Sequence, residues 1–244
     1  MPAERIVSLV PSLTELIFWL GAGDRLVGRT RFCTEPASEV GKVPAIGGTK
    51  NPKIDRIVAS RPDLVIANKE ENRREDIEAL ETAGVAVYLS HPDTVFEAIE
   101  MIRELGELCG AATRANELAR DIERALEEEP PVEPVRTYVA VWHNPLMGLG
   151  SNSYGHSLLE LCGASNVLGH RERYPELALG ELRDLHPELI LLPDEPFPFG
   201  ESHAALYSEI APAQVIDGKL LWWYGPRMPH AIRELRQLFR GVRA

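Results

Sequence analysis

Between Pro92 and Pro130 the chain reads DTVFEAIEMIRELGELCGAATRANELARDIERALEEE, and no other stretch is so long and so plainly helical. Apolar residues recur at Val95, Ala98, Ile99, Ile102, Leu105, Leu108 and Cys109, then at Ala112, Ala115, Leu118, Ala119, Ile122, Ala125 and Leu126, the spacing of one buried helix face. Gly110 is a helix stop and Thr113 a fresh start, so the spacing predicts two helices, the second ended by Pro130 and Pro131. Such a helix in the middle of a chain divides it, and what flanks it must be organised on either side.

The flanks repeat one another. RIVSLV (5–10) and, further on, RPDLVIA (61–67) are short branched apolar runs that read as strands; TYVAVW (137–142) and HPELILL (186–192) follow at a similar distance in the second half. Pro62-Asp63-Leu64-Val65-Ile66 corresponds to Pro187-Glu188-Leu189-Ile190-Leu191, and helical segments separate the strands in the same order in both halves. The expectation is an α/β protein of two Rossmann-like lobes: an N-terminal lobe over 1–110, a linking helix over 111–131 and a C-terminal lobe over 132–244.

Within the first half, Ser12 and Glu15 fit a capping box before LIFWL, and a helix start at the carboxyl end of a strand is where α/β folds place ligands. Asn68 to Asn72 leave the LVIA strand as a solvated turn or part of a rim. In the second half, GLGSNSYG lacks the spacing of either glycine-rich phosphate motif and reads as a hairpin turn. LLWWYGPRMPHAIRELRQLF reads as a strand, an aromatic loop and a closing amphipathic helix.

Composition excludes several classes. A net charge of −11 disfavours nucleic acid and acidic lipid as partners, and no run approaches the roughly 20 apolar residues of a membrane span. Cys33, Cys109 and Cys162 are far apart and odd in number, which is neither a disulfide framework nor a zinc site. There is no GxSxG, HExxH or CxxC, and the seven histidines show no metal-ligand spacing, so neither a catalytic residue nor a protein-held metal is expected. Among them His143, beside Trp142 in an exit loop, is placed to face a ligand. Phe32, Trp142, Tyr154, Tyr174, Trp222, Trp223 and Tyr224 fall in segments read as loops, which predicts a wide, partly apolar surface between the lobes for a large planar ligand.

RIVSLVPSLTELIFWLGAGDRLVG, RIVASRPDLVIA, LLELCGASNVL and HPELILL resemble the helical-backbone (class III) substrate-binding proteins of ABC importers, which capture cobalamin, haem or ferric siderophores. The resemblance covers nearly the whole chain and is greatest to the cobalamin-binding branch. It implies two lobes joined by a single long backbone helix, a ligand held between them with little closure on binding, an ABC transporter permease as partner, and a monomer that is not an enzyme. By position, Phe32 replaces a ligand-contacting tyrosine of the cobalamin binders, Tyr174 falls at a tryptophan and Met147 at a phenylalanine, while Trp222, Trp223 and Arg227 lie in the corresponding late loop. Thr49 and Asn68 stand where those proteins have tryptophans, and Lys50, Lys69 and Arg227 make the site more cationic, which also suits a carboxylated ligand such as haem or a siderophore. Glu75 and Glu181 are the carboxylates nearest the positions with which the family engages its permease. MPAERIV enters the first strand without a charged and then apolar leader, so the alternatives are export after removal of a leader, or a cytoplasmic binder or enzyme of corrinoids and other metal complexes.

Overall fold

A computed structural model describes residues 1–128 and 133–243. The first half holds β1 (Ile6–Ser8), α1 (Pro11–Trp19), β2 (Leu26–Arg29), α2 (Ile54–Ala59), β3 (Leu64–Asn68), α3 (Arg74–Thr82) and β4 (Val87–Ser90). Two longer helices follow, α4 (Val95–Leu108) and α5 (Ala112–Glu127). The second half holds β5 (Val135–Trp142), β6 (Met147–Gly148), α6 (Tyr154–Cys162), β7 (Ala164–Asn166), α7 (Leu179–Asp184), β8 (Leu189–Pro193), α8 (Glu201–Tyr207), β9 (Ala213–Ile216), α9 (Lys219–Trp222) and α10 (Met228–Arg243).

The chain divides into two compact units. One comprises residues 1–91, 99–120 and 224–226; the other comprises 92–98, 121–223 and 227–244, so that α4 and α5 each supply residues to both. The break between these helices falls where the sequence predicts it, at Gly110, whose φ of 62° is a left-handed conformation that glycine adopts without a Cβ penalty. The expected stop at Pro130 and Pro131 lies outside the described residues.

In the first unit four parallel strands run in the order β2-β1-β3-β4 over a core of Val7, Leu9, Ile57, Val65, Ile77 and Leu80. In the second, β5 is central: β8 and β7 pair with it in parallel, β6 returns against its carboxyl end as an antiparallel hairpin, and β9 adds to β8. Its core gathers Tyr138, Leu168, Leu182, Ile190, Leu192, Phe199 and Tyr207. Parallel strands covered on both faces require continuous apolar runs, and β3 and β8 are buried at every position.

The repeat read from the sequence has a repeated local structure. The Asp63 carboxylate accepts from the backbone N–H of Glu4 and Arg5 at 2.8 and 3.1 Å, while the Arg5 guanidinium donates to the Ser60 and Arg61 carbonyls at 2.6 and 3.0 Å. Likewise Glu188 accepts from the Arg136 N–H at 2.9 Å, and Arg136 donates to the carbonyls of Leu185 and His186 at 2.5 and 3.2 Å. In each unit an arginine at or just before the start of an inner strand thus satisfies carbonyls at the end of the helix that leads into the neighbouring parallel strand, carbonyls with no partner within that helix. Arg61 and His186, matched in the repeat, share the same left-handed conformation with φ of 49° and 45°.

Glu188 also receives both guanidinium nitrogens of Arg243 at 2.8 and 2.9 Å, and these hydrogen bonds hold its carboxyl below the ordinary value of 4.5. A carboxyl with a depressed folded-state pKa contributes stability that is complete above 4.5 and is lost as pH falls through the lower folded value. Unfolding midpoints measured from pH 6 down to pH 3 are therefore expected to fall less steeply in Glu188→Gln than in the wild type; parallel curves would exclude this contribution.

Three local readings are corrected. Ser12 is not a cap: Pro11 takes the first helical position, which suits its fixed φ and missing N–H, so Val10 becomes the N-cap and Ser12 lies within α1, buried, its Oγ without a hydrogen-bond partner. GLGSNSYG is not the hairpin turn, which lies earlier, between Trp142 and Met147; the segment passes from β6 through bonds of Gly150 and Ser151 N–H to the Arg173 and Arg171 carbonyls, and Tyr154 begins α6. LLWW is not a strand. Asp217 and Gly218 turn the chain, their carbonyls accept from Leu220 and Leu221, and Leu220 to Trp222 lie in the short helix α9, while the branched AQVI before them takes the edge-strand position.

Candidate ligand-binding site

In open α/β sheets, ligands bind outside the carboxyl ends of the strands, where loops carry side chains that the sheet does not use. In the first unit these loops bring together four of the residues singled out in the sequence. Phe32, after β2, is 49% exposed, and the guanidinium of Arg31 lies 4.9 Å from its ring centroid. Its ring also lies against Gly48, where a Cβ would come within 3.2 Å of it. The Thr49 carbonyl accepts from Asn72 Nδ2 at 3.0 Å, and Lys50 donates to the Glu70 carbonyl at 2.6 Å.

Asn68 is only 1% exposed: its Nδ2 donates to Ser90 Oγ at 3.2 Å, its Oδ1 accepts from Glu70 N–H, and its own N–H donates to Asn72 Oδ1 at 2.8 Å. The segment from Asn68 to Asn72 is thus no wholly solvated turn, because two asparagines fold its backbone inward. The Asn68 side chain is spent fixing its own loop, and Asn72 ties that loop to the one that carries Thr49 and Lys50. Lys69 stays exposed beside it.

In the second unit the exits of β5 and β8 form an aromatic cluster. Trp142 is 39% exposed and meets the edge of Phe197 with centroids 5.2 Å apart. His143 lies within 6.5 Å of Phe197, Phe199, His203 and Tyr207, ring centroid to ring centroid. Met147, half-buried in β6, accepts from Tyr138 Oη through its carbonyl at 3.2 Å, and Tyr174 is half-buried in the segment leading to Pro175, which pairs with Gly148.

The late loop is built differently from the expected open aromatic surface. Trp222 and Trp223 both donate their indole N–H to Glu195, one to its carbonyl and one to its carboxylate, each at 2.7 Å. Trp223 is 6% exposed, with Lys219 and Arg227 over its ring at 5.4 and 5.3 Å. Burial pushes the Glu195 carboxyl up, and the Trp223 N–H offsets this in part. Tyr154 and Tyr224 are buried as well. Of the seven aromatics read as loop residues, Phe32 and Trp142 are the exposed ones; Tyr154, Trp222, Trp223 and Tyr224 lie in or directly after helices that the sequence pattern did not separate from loops, and Tyr174 is half-buried in an irregular segment.

Trp223 therefore acts first on stability. Trp223→Ala is expected to cost about 3 to 5 kcal/mol of unfolding free energy, the range for emptying a buried tryptophan site. Denaturant titration checks this, and a loss below about 1 kcal/mol would show that the ring is dispensable to the core.

Phe197, Phe199, His203 and Glu195 were not singled out in the sequence. Their signal was the proline-rich DEPFPFGESH, whose position after a strand was legible but whose inward folding onto Trp142 and His143 was not. Glu75, exposed in the first turn of α3, faces Arg73 at 3.4 Å; Glu181, half-buried in the first turn of α7, accepts from Arg171, which holds its carboxyl below 4.5. A groove of about 770 Å³ beside Val215, Asp217, Glu234 and Leu238 runs along the open edge of β9, and no predicted site residue lines it. Among the described residues no three His, Cys, Asp or Glu side chains converge to hold a metal ion, and no helix is long and apolar enough to cross a membrane.

Two parallel α/β units whose strand-end loops carry aromatic and cationic side chains define a receptor for a small molecule, whose work is binding rather than catalysis. The chain belongs to the periplasmic binding protein family, which matches residues 6–210. Among its curated relatives is the vitamin B12-binding protein of Vibrio parahaemolyticus, 26% identical over 194 residues that cover 78% of this chain and 70% of the relative. The fold is that of the periplasmic vitamin B12-binding protein BtuF of Vibrio cholerae (TM-score 0.86, 21% identity, covering 99% of this chain and 98% of that one). It is equally that of the periplasmic heme-binding protein RhuT from Roseiflexus sp. RS-1 (TM-score 0.86, 21% identity, covering 99% and 100%).

Proposed function

We propose that this protein is the substrate-binding component of an ABC importer and captures cobalamin or a related corrinoid for delivery to the permease. The observation that carries the reading is the pair of exposed aromatics at strand exits, Phe32 in one unit and Trp142, backed by Phe197, in the other. Flat apolar rings of this kind bind the face of a macrocycle by dispersion and desolvation. The relatives' binding of vitamin B12 supports the same class of ligand. Haem is the second reading, favoured by the cations Lys50, Lys69 and Arg227 at these loops, which suit a ligand bearing carboxylates.

Visible spectra and calorimetry with cyanocobalamin, dicyanocobinamide and haemin separate the two. The corrinoid reading expects a dissociation constant of about 1 μM or tighter for at least one corrinoid, weakened about 10-fold or more in Phe32→Ala and Trp142→Ala. Tight binding of haemin with no corrinoid binding would replace it by the haem reading. No binding of any of the three at about 100 μM would overturn both.

A further inference from the structure

We infer that the open edge of β9 is a second binding surface, which takes an extended basic segment of a partner protein as an additional strand. None of the residues proposed above to meet the macrocycle lines this edge, so the inference stands apart from the choice of ligand.

The edge follows from the pairing of β9. The Ile190 N–H donates to the Pro212 carbonyl at 2.8 Å and the Asp194 N–H to the Ile216 carbonyl at 3.0 Å. Backbone groups alternate in direction along a strand, so Pro212, Gln214 and Ile216 turn theirs toward β8, while the N–H and C=O of Ala213 and Val215 point to the open side. The opposite edge of the same sheet is closed, since Met147 of β6 bridges to Glu176. Edges that stay solitary are blunted by a lysine, a proline or a bulge within the strand. AQVI has no lysine and no proline, and its register against β8 is unbroken.

Beside the edge runs the groove of about 770 Å³, walled on its far side by α10. Leu238 and Val242 of α10 give it an apolar surface, and Val242 is 40% exposed. Helix α10 runs antiparallel to β9: its end meets the start of β8, where Arg243 binds Glu188, so Glu234, two turns earlier, lies toward Asp217 at the carboxyl end of β9. Among the described residues that line the groove these two carboxylates are accompanied by no lysine or arginine. Glu234 faces His230 at 3.9 Å, too far for a hydrogen bond.

That charge selects the occupant. A second copy pairing edge to edge about a twofold axis would add its own Asp217 and Glu234 to a groove that holds no cation, and each copy carries a net charge of −11. An extended segment with apolar side chains in its middle and cations at its end meets every feature: main-chain bonds to Ala213 and Val215, apolar contact with Leu238 and Val242, and charge opposite Asp217 and Glu234.

The heptapeptide KKVTVKK, with blocked termini and lysines at both ends to serve either strand direction, is the probe. It is expected to bind wild type with a dissociation constant of about 100 μM or tighter, and EEVTVEE about 10-fold or more weakly. On saturation, amide exchange at Ala213 and Val215 slows about 10-fold or more, while Gln214 and Ile216, already bonded to β8, change little. Methylating the backbone nitrogens of both peptide valines keeps every charge and is expected to weaken binding about 10-fold or more. Val215→Pro removes an outward N–H without touching the β8 ladder and abolishes binding, and Glu234→Lys weakens KKVTVKK about 5-fold while strengthening EEVTVEE. Equal binding of the methylated peptide, or no added protection at Ala213 and Val215, would show adhesion of a cation to an acidic protein and overturn strand addition. No binding at about 1 mM overturns the inference. Sedimentation that shows a dimer abolished by Val215→Pro, with no peptide binding, replaces the basic segment by a second copy.

Discussion

Arg236→Leu is expected to lower the unfolding free energy by about 3 to 5 kcal/mol, the cost of stranding buried polar groups. Arg236 is a buried cation on α10, and it donates to the carbonyls of Ala125 and Leu126 at the end of α5 at 3.0 and 2.7 Å and to that of Leu161 in α6 at 3.3 Å. The last carbonyls of a helix have no partner within it, and here a planar guanidinium supplies two of them in α5 and one in α6. Leucine fills part of the volume and none of the hydrogen bonds. Lysine keeps the charge but, with a compact ammonium on a flexible stem, does not span three carbonyls, so Arg236→Lys is expected to recover less than half of the loss. Urea unfolding followed through the tryptophans measures both variants. A leucine variant within about 1 kcal/mol of wild type would show that solvent satisfies these carbonyls.

Charge reversal of Glu75 and Glu181 together is expected to abolish stimulation of the cognate transporter's ATPase in reconstituted membranes while leaving ligand affinity within about 2-fold of wild type. Both carboxylates lie in the first turn of a helix, where the dipole favours them, and the net charge of −11 suits an encounter with a basic surface. They differ in readiness. Glu75 is exposed and meets Arg73 at 3.4 Å, whereas Glu181 is half-buried and held by Arg171, a partner that docking as proposed would displace. Arg171→Ala is accordingly expected to raise, not lower, the apparent affinity for the transporter. Undiminished ATPase stimulation by the Glu75→Lys/Glu181→Lys protein would remove these residues from the docking surface.

The elements that followed from sequence are those whose signal is periodic and local. Helices α5 and α10, with one apolar face sustained over 16 residues each, and strands β3 and β8, with unbroken apolar runs, lie where their patterns put them. The repeat was legible for the same reason, down to Asp63 and Glu188 at matched positions. Ser12 shows where local reading stops: the cap pattern was present, but Pro11 is better suited to the first helical position and displaced it. LLWW shows the ambiguity of four apolar residues, too few to distinguish a strand from a helical turn.

The candidate site divides along the same line. That Phe32, Trp142 and His143 lie at strand exits was available from the order of strands and loops. Which aromatics stay open was not, because the burial of Trp223 depends on Glu195, 28 residues away, and on Lys219 and Arg227 over its ring. The pairing of His143 with Tyr207 spans 64 residues, and the reach of Arg236 to α5 spans 110. Sequence by itself determined the α/β class, the two-fold repetition and the central helices, since these rest on contacts repeated every two to four residues. Tertiary structure alone decided which polar and aromatic groups are used up in the core and which remain exposed, since that depends on single contacts between residues far apart in the chain.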